Sequence, residues 1–200
     1  MKLISKGAEA EIYAGKFFGL DSIFKLRLSK KYRHERLDRI LRTKRTKLET
    51  TLIAKAKETC RTPAIYNVDV KKGKIIMERI EGTALRDVAR KERLYLLPKL
   101  AKIVAELHSR GIIHGDLTTA NVIVEKNSKK LALIDFGLGF FSARIEDKAT
   151  DLLNLKKTIK ALHSEKEWEK FIRSYIKFTK EKDIVEKIQE IEKRARYVWR

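Results

Sequence analysis

Cysteine occurs once in this 200-residue chain, at Cys60, so no intrachain disulfide can form and no zinc site can be built from thiolates. That usage fits a reducing compartment. Proline occurs twice and glycine nine times, which leaves little room for a long linker or a low-complexity segment, and no internal repeat is visible. No run approaches the ~18 consecutive apolar residues of a membrane span. The opening Met1–Tyr13 lacks an apolar stretch followed by a small-residue cleavage site. The expectation is a cytoplasmic protein with no membrane attachment. Negative charge is the scarcest commodity: 27 Asp plus Glu stand against 47 Lys plus Arg, a formal net charge of +20. Heat-adapted proteins enrich both signs in ion-pair networks. An excess of one sign points instead to a phosphate-rich partner, most simply nucleic acid. The 43% of apolar residues suffices for a core, and the length fits one domain or two small lobes.

The pattern changes along the chain. Residues 2–5, 10–17 and 22–28 read as short strands separated by turns near Gly7 and Gly19. From Glu35, Leu37, Ile40, Leu41, Leu48 and Leu52 recur at steps of three and four among basic residues, which predicts an amphipathic helix closed by Pro63. A hairpin is expected over 65–70 and 74–79. Helices follow at about 85–90 and 97–109, then strands at 122–125 and 131–135, then helix from about 148 onward. A strand-rich first lobe over 1–80, carrying one helix, thus precedes a helical second lobe over 81–200. The class is α+β, and ligands usually sit in the cleft between such lobes.

The sequence His114-Gly115-Asp116-Leu117-Thr118-Thr119-Ala120-Asn121 is followed by Ile134-Asp135-Phe136-Gly137. This pair resembles the catalytic loop and metal motif of protein kinases. Phosphoryl transfer needs a carboxylate beside the attacking oxygen and hard oxygen ligands for magnesium. Asp116 is the candidate that orients the nucleophile; Asn121 and Asp135 are the candidate Mg2+ ligands. Lys25, near the end of a strand, is the candidate for the α and β phosphates of ATP. Its partner is sought on the amphipathic helix, at Glu49 first and Glu58 second, with Glu35 better placed to favour the helix N-terminus. Met77, Glu78 and Ile80 occupy the place of an interlobe hinge. Ile12, Ile23, Met77, Ile123 and Ile134 can sandwich an adenine ring or serve as ordinary core. The segment Gly7-Ala8-Glu9-Ala10 departs from the kinase G-x-G-x-x-G: Gly7 is its one glycine, and Glu9 is expected to repel phosphate unless it points away.

A closer resemblance rests on Lys25 to Asp38 (KLRLSKKYRHERLD), Gly7–Ala10, Arg45-Thr46-Lys47-Leu48-Glu49, His114–Asn121, Asp135–Gly139 and Glu146–Leu152. Together these look like the small atypical kinase of the KEOPS complex, over nearly the whole chain. The resemblance implies a kinase-like fold with a minimal second lobe, ATP and Mg2+ as cofactors, and autophosphorylation on serine or threonine. It also implies ATP hydrolysis in support of threonylcarbamoyl modification of the adenosine next to the anticodon in tRNAs reading ANN codons. The implied partners are the threonylcarbamoyltransferase subunit, the other KEOPS subunits and tRNA. It supports Glu49 as the partner of Lys25, and in that family a one-glycine loop is normal.

Few residues separate Gly137 from Asp151 and no Ala-Pro-Glu follows, so the activation segment is expected to be truncated and a peptide-docking surface largely missing. Asp151 is expected to brace the catalytic loop by accepting backbone hydrogen bonds, or to cap the last helices. Eleven Lys or Arg lie between Lys25 and Lys47 against Glu35 and Asp38, and a second basic cluster ends the chain with Tyr197 and Trp199 interleaved. Lys30, Lys31, Arg33, Arg194, Arg196 and Arg200 are candidate tRNA contacts. Two other readings compete: a small-molecule kinase of the aminoglycoside or lipid-core type, which shares His-Gly-Asp, and an RNA-binding scaffold with weak catalysis. The positive charge disfavours the first, and the complete Lys25, Asp116, Asn121, Asp135 set disfavours the second.

Overall fold

The computed structural model describes residues 1–7, 9–30 and 32–197, the side chains of 195–197 excepted. Strands β1 (Lys2–Lys6), β2 (Ala10–Phe17), β3 (Leu20–Arg27), β4 (Ile65–Asp69) and β5 (Lys74–Glu78) form one antiparallel sheet in the order β1-β2-β3-β5-β4. Helix α1 (Glu35–Ala56) connects β3 to β4. Strand β3 lies at the centre of this sheet, paired with β2 through Ile12↔Lys25 and with β5 through Lys25↔Ile75. Its period-two alternation sets Lys25 and Arg27 on one face, and both are buried.

The remaining elements are β6 (Gly82–Ala84), a 3-10 turn (Leu85–Asp87), α2 (Arg90–Ser109), β7 (Ile112–Ile113), β8 (Val122–Glu125), β9 (Leu131–Leu133), β10 (Phe140–Phe141), α3 (Ile145–Leu162), α4 (Glu165–Phe178) and α5 (Ile184–Tyr197). Strands β6, β8 and β9 form a small sheet, and β10 pairs β7. The core of this half is carried by Leu97 and Leu100 of α2, Leu155 of α3 and Phe171 and Tyr175 of α4, all fully buried. Each such side chain contributes ~1.5–3 kcal/mol of burial. Trp168, Phe171 and Tyr175 recur at helical spacing and stack with centroids 5.5 and 6.3 Å apart. Ser164 caps α4 by accepting the Glu167 N–H. The Glu167 carboxylate accepts from the buried Arg93 of α2 at 2.6 Å, which ties the two helices together.

Several boundaries differ from the sequence reading, each for a tertiary reason. Helix α1 stops at Ala56, well before Pro63, because the chain beyond it is drawn into the second half: Leu133 N–H donates to Arg61 O at 2.9 Å. Its N-terminal apolar residues Leu37 and Ile40 are half-exposed, whereas Thr46, Glu49, Leu52, Ile53 and Ala56 form the buried side. Helix α2 begins at Arg90 and runs through Pro98, where proline forfeits one hydrogen bond; burial of Leu96 and Leu97 before it and of Leu100 and Ala101 after it outweighs that loss. Only a single 3-10 turn forms at 85–87 where a longer helix is expected. Strand β9 ends at Leu133 because Asp135 adopts φ 62°. Among the described residues the helical tail starts at Ile145 and is three helices.

Candidate active site

A cleft of about 380 Å³ lies between the five-stranded sheet and the β8–β9 hairpin. Ile12 and Ile23 line it from above, Ile123 and Ile134 from below, and Met77 to Ile80 along its back, so every apolar residue proposed for an adenine ring reaches the same space. That volume and apolar lining suit a planar heterocycle. A second recess of about 240 Å³ continues from it, lined by Gly7, Glu9, Arg27, Asp116, Asp135 and Gly137 among others. The two recesses share Ile12, Lys25 and Asp135.

Lys25 stands at their junction. Its Nζ donates to Glu49 Oε1 at 2.6 Å and to Asp135 Oδ1 at 2.7 Å. Glu58, the second candidate partner, instead faces Arg110 at 2.9 Å on the surface. Burial works against the Lys25 ammonium, but the charges of Glu49 and Asp135 outweigh it and hold its pKa above the ordinary lysine value. Desolvation likewise pushes Asp135 upward. Lys25, the Gly137 N–H and His114 overcome it, so the Asp135 carboxyl sits below the usual aspartate value. Glu49 has a further partner that sequence reasoning counted only among the basic cluster: Arg27 Nη2 donates to its Oε2 at 2.5 Å.

The loop that carries Asp116 is held from beneath. Asp151, in the interior of α3 and therefore no N-cap, accepts from the main-chain N–H of His114 and of Gly115, both at 2.9 Å. His108 of α2 bridges Asp151 at 3.2 Å and the Tyr175 hydroxyl at 2.9 Å. His114 lies on the buried Phe136 ring with centroids 4.5 Å apart. Its Nε2 donates to Ile134 O at 3.0 Å, which leaves Nδ1 to accept the Asp116 N–H at 3.3 Å. Gly115 has φ 80°, and a Cβ there would stand 2.1 Å from Leu138 O. Asn121 Nδ2 donates to both the carbonyl and the Oδ2 of Asp116 at 2.9 Å, closing the loop five residues after it opens. The structure thus brings Lys25, Glu49, Asp116, Asn121 and Asp135 to one cleft.

Glu9 does not stand as a free charge against that cleft. It is ion-paired with Arg45 of α1, and the hydrogen bond from Arg45 holds its carboxyl below the ordinary glutamate value. Glu78 turns away from the ring space: it pairs with Arg61 and accepts the Ala64 N–H at 3.0 Å. Arg61 also donates to Glu125 Oε1 at 2.8 Å, so one guanidinium links the back of the cleft to β8. Arg61 carried no motif signal in the sequence, and Arg45 stood there only within the Arg45–Glu49 string and the basic cluster. Arg27 had one: the alternation that puts it on the face of Lys25.

The basic cluster is less free than its composition implies. Lys25, Arg27, Arg42 and Arg45 are consumed by Glu49, Asp135, Asp38 and Glu9. Arg33 lies 4.0 Å from Asp38 and over the Tyr32 ring, and the exposed Arg194 pairs with Glu190 on its own helix. Lys30 is a half-buried loop residue whose N–H donates to Asp38 Oδ1 at 3.1 Å. Lys31, Arg200 and the Arg196 side chain lie outside the described residues.

No three His, Cys, Asp or Glu converge on a metal cage among the described residues. Mg2+ does not require one. It keeps waters and phosphate oxygens and takes one or two protein oxygens. A half-exposed carboxylate at Asp135, and Asn121 with its Nδ2 spent on Asp116 and its Oδ1 left as an acceptor, fit that donor set.

A sheet-and-helix half over a helical half, with a lysine–glutamate pair above and a His-x-Asp…Asn loop below, defines the protein-kinase-like class. Two solved structures share it: WaaP in complex with acyl carrier protein, 13% identical with TM-score 0.64 over 100% of this chain and 89% of that one, and the Rio2 kinase–ADP/Mg2+–phosphoaspartate complex from Chaetomium thermophilum, 14% identical with TM-score 0.65 over 99% and 72%. The likeness at that identity is one of fold. Within the class, the chain belongs to the lipopolysaccharide kinase (Kdo/WaaP) family, whose profile matches residues 9–175. Curated relatives are more similar still. The probable bifunctional tRNA threonylcarbamoyladenosine biosynthesis proteins of Methanococcus vannielii and Methanothermobacter thermautotrophicus are 40% and 42% identical over 98% of this chain. The chain spans 36% of the length of each.

Proposed function

We propose that this chain is an ATP-dependent phosphotransferase and ATPase that supports threonylcarbamoyladenosine formation on tRNA as the kinase-like subunit of a KEOPS-type complex. The observation that carries the chemistry is the convergence of Lys25, Asp135, Asn121 and Asp116 on one cleft with an apolar inner end. Support for the tRNA context comes from the names of relatives 40% identical over 98% of the chain. Residues 1–80 and 81–200 act as the two lobes of one catalytic domain.

In this reading the isoleucines and Met77 hold adenine. The N–H groups of Glu78 and Arg79 are spent on Ala64 O and Asp21 O, which leaves that of Ile80 for a ring nitrogen. Lys25 leaves Asp135 for the α and β phosphates, and Gly7 edges the phosphate recess. Asp135 and Asn121 would hold Mg2+, which would supply positive charge against that of the phosphates. Asp116, kept oriented by Asn121, accepts the proton of the attacking water or hydroxyl. Lys30, Lys31, Arg33, Arg194, Arg196 and Arg200 are proposed to meet tRNA phosphates, the transferase subunit to cover the face beside Asp116, and the complex to work in the cytoplasm. No helix among the described residues is long and apolar enough to cross a membrane.

ATP turnover measured with and without tRNA and the transferase subunit tests this, comparing wild type with Asp116→Ala and Asp135→Ala. Turnover that rises with the partners and falls at least 100-fold in both variants supports it; absence of turnover in every mixture refutes it. The family profile favours a second reading, phosphorylation of a small hydroxylated acceptor. Transfer of labelled phosphate to a sugar or lipid-core acceptor, with no effect of tRNA, would put that reading first.

A further inference from the structure

We infer that Arg27 is a positioning residue, the resident counter-ion of Glu49 that keeps α1 and the Asp135–Gly137 turn in place while Lys25 departs for phosphate. The inference rests on the phosphoryl-transfer reading above and extends it to a residue that reading does not use.

The two oxygens of Glu49 are taken separately, Oε1 by Lys25 at 2.6 Å and Oε2 by Arg27 at 2.5 Å. All three side chains are almost wholly buried, Glu49 at 0% exposure, Arg27 at 3% and Lys25 at 7%. Lys25 has a second attachment, to Asp135 in the half-exposed part of the cleft. Arg27 has its second attachment to main chain, the Gly137 carbonyl at 3.4 Å. Lys25 can therefore exchange its partners for a ligand, whereas among the described residues the Arg27 guanidinium bonds only to α1 and to the turn after Asp135.

Removing the sole cation from a buried carboxylate leaves an uncompensated charge, which is strongly unfavourable. With one cation on Glu49, the departure of Lys25 would carry that penalty and would loosen α1. With Arg27 on the other oxygen, Glu49 stays paired throughout. Arg27 meets its own cost in doing so, since its Nε is buried without a hydrogen-bond partner. A buried unsatisfied donor is unfavourable for folding alone, and an apolar residue on β3 would avoid it. The guanidinium does what an apolar residue or a lysine cannot: its Nη2, one bond beyond the reach of a lysine ammonium, meets a carboxylate on α1 and a carbonyl on the turn after Asp135 from one strand position.

The test uses the full chain without nucleotide first. Backbone hydrogen exchange is read in α1 and at 136–139 for Lys25→Met, Arg27→Met and Arg27→Lys. The expected result is α1 exchange within twofold of wild type in Lys25→Met, and at least tenfold faster exchange in both segments in Arg27→Met. Arg27→Lys, which keeps a cation but ends one bond short of Nη2, should retain α1 protection and speed exchange at 136–139; this variant decides the matter where Arg27→Met does not fold. Steady-state ATP turnover is then split. Arg27→Met should lower kcat at least tenfold with KM changed less than threefold, and Arg27→Lys should recover part of kcat. Opening of α1 in Lys25→Met but not in Arg27→Met would overturn the assignment, as would wild-type kcat in Arg27→Met or wild-type exchange at 136–139 in Arg27→Lys. Absence of wild-type turnover both with and without tRNA and the transferase subunit refutes the phosphoryl-transfer reading instead, and the nucleotide-free exchange data still decide whether Arg27 or Lys25 holds Glu49.

Discussion

Gly115 separates His114 from Asp116, and Gly115→Ala tests whether the loop that carries Asp116 and the segment after Asp135 are closed on each other by glycine. The backbone there has φ 80°, and an added Cβ would stand 2.1 Å from Leu138 O, 2.5 Å from Leu138 C and 3.0 Å from Gly139 N. Two costs add. The left-handed conformation costs an L-residue about 1–2 kcal/mol. The overlap falls on main chain, which has no rotamer to yield, and overpacking of this kind costs about 1–3 kcal/mol. The sum is about 2–5 kcal/mol, and in a chain of this size it lowers Tm by about 4–20 °C. Gly19 is the internal reference. Its φ is 81°, yet no heavy atom lies within 4 Å of its Cβ position, so Gly19→Ala carries the conformational cost alone. Scanning calorimetry of both variants separates the two costs, and ATP turnover should fall in Gly115→Ala only. Equal loss of Tm in the two variants would refute the close-approach argument.

Other outcomes follow from the buried charges. Asp151→Ala strands the His114 and Gly115 N–H groups, each costing about 1–3 kcal/mol when buried without an acceptor, so denaturant unfolding should show a loss of about 2–6 kcal/mol; less than 1 kcal/mol contradicts the bracing role. The pH profile has a defined sign. Asp135 and Asp151 are held below the ordinary aspartate value, so their contribution is complete above an unfolded pKa of about 3.9 and is lost as pH falls toward the folded ones. Lys25 is held above its ordinary value, so its share is complete below about 10.4 and is lost as pH rises beyond. Denaturation midpoints should be level between about pH 5 and 9 and fall on both sides; a maximum below pH 4 would contradict the pairing.

The centre was legible because its chemistry is written in short, local strings. His114–Asn121 and Asp135–Gly137 each fix their own turn, and the strand pair between them fixes their distance in sequence. Lys25 and Glu49 were reachable through strand and helix register. What the string could not show was consumption of one charge by another: Arg27, Arg42 and Arg45 counted toward a basic surface until Glu49, Asp38 and Glu9 took them. Helix ends escaped for a related reason. Pro63 and Pro98 are strong local signals, but the pairing of Arg61 O with Leu133 N–H and the burial of Arg93 by Glu167 come from residues 72 and 74 positions away and decided the boundaries instead.

The stretch from Gly137 to α3 is fastened at each step. Gly139 N–H bonds Phe136 O, Phe140 and Phe141 pair with Ile113 and Ile112, and Ser142 donates to Asp147 at 2.6 Å while its N–H holds Gly111 O. A chain segment so anchored has no slack to be ordered by a phosphate or released by its removal. The on–off device that many kinases carry within themselves is thus closed to this one. In the reading proposed above, control over its rate is exerted from outside, by whatever sits on the face beside Asp116 and decides when an acceptor or a water meets it. The chain is then a centre kept permanently assembled, with its timing delegated to its surroundings.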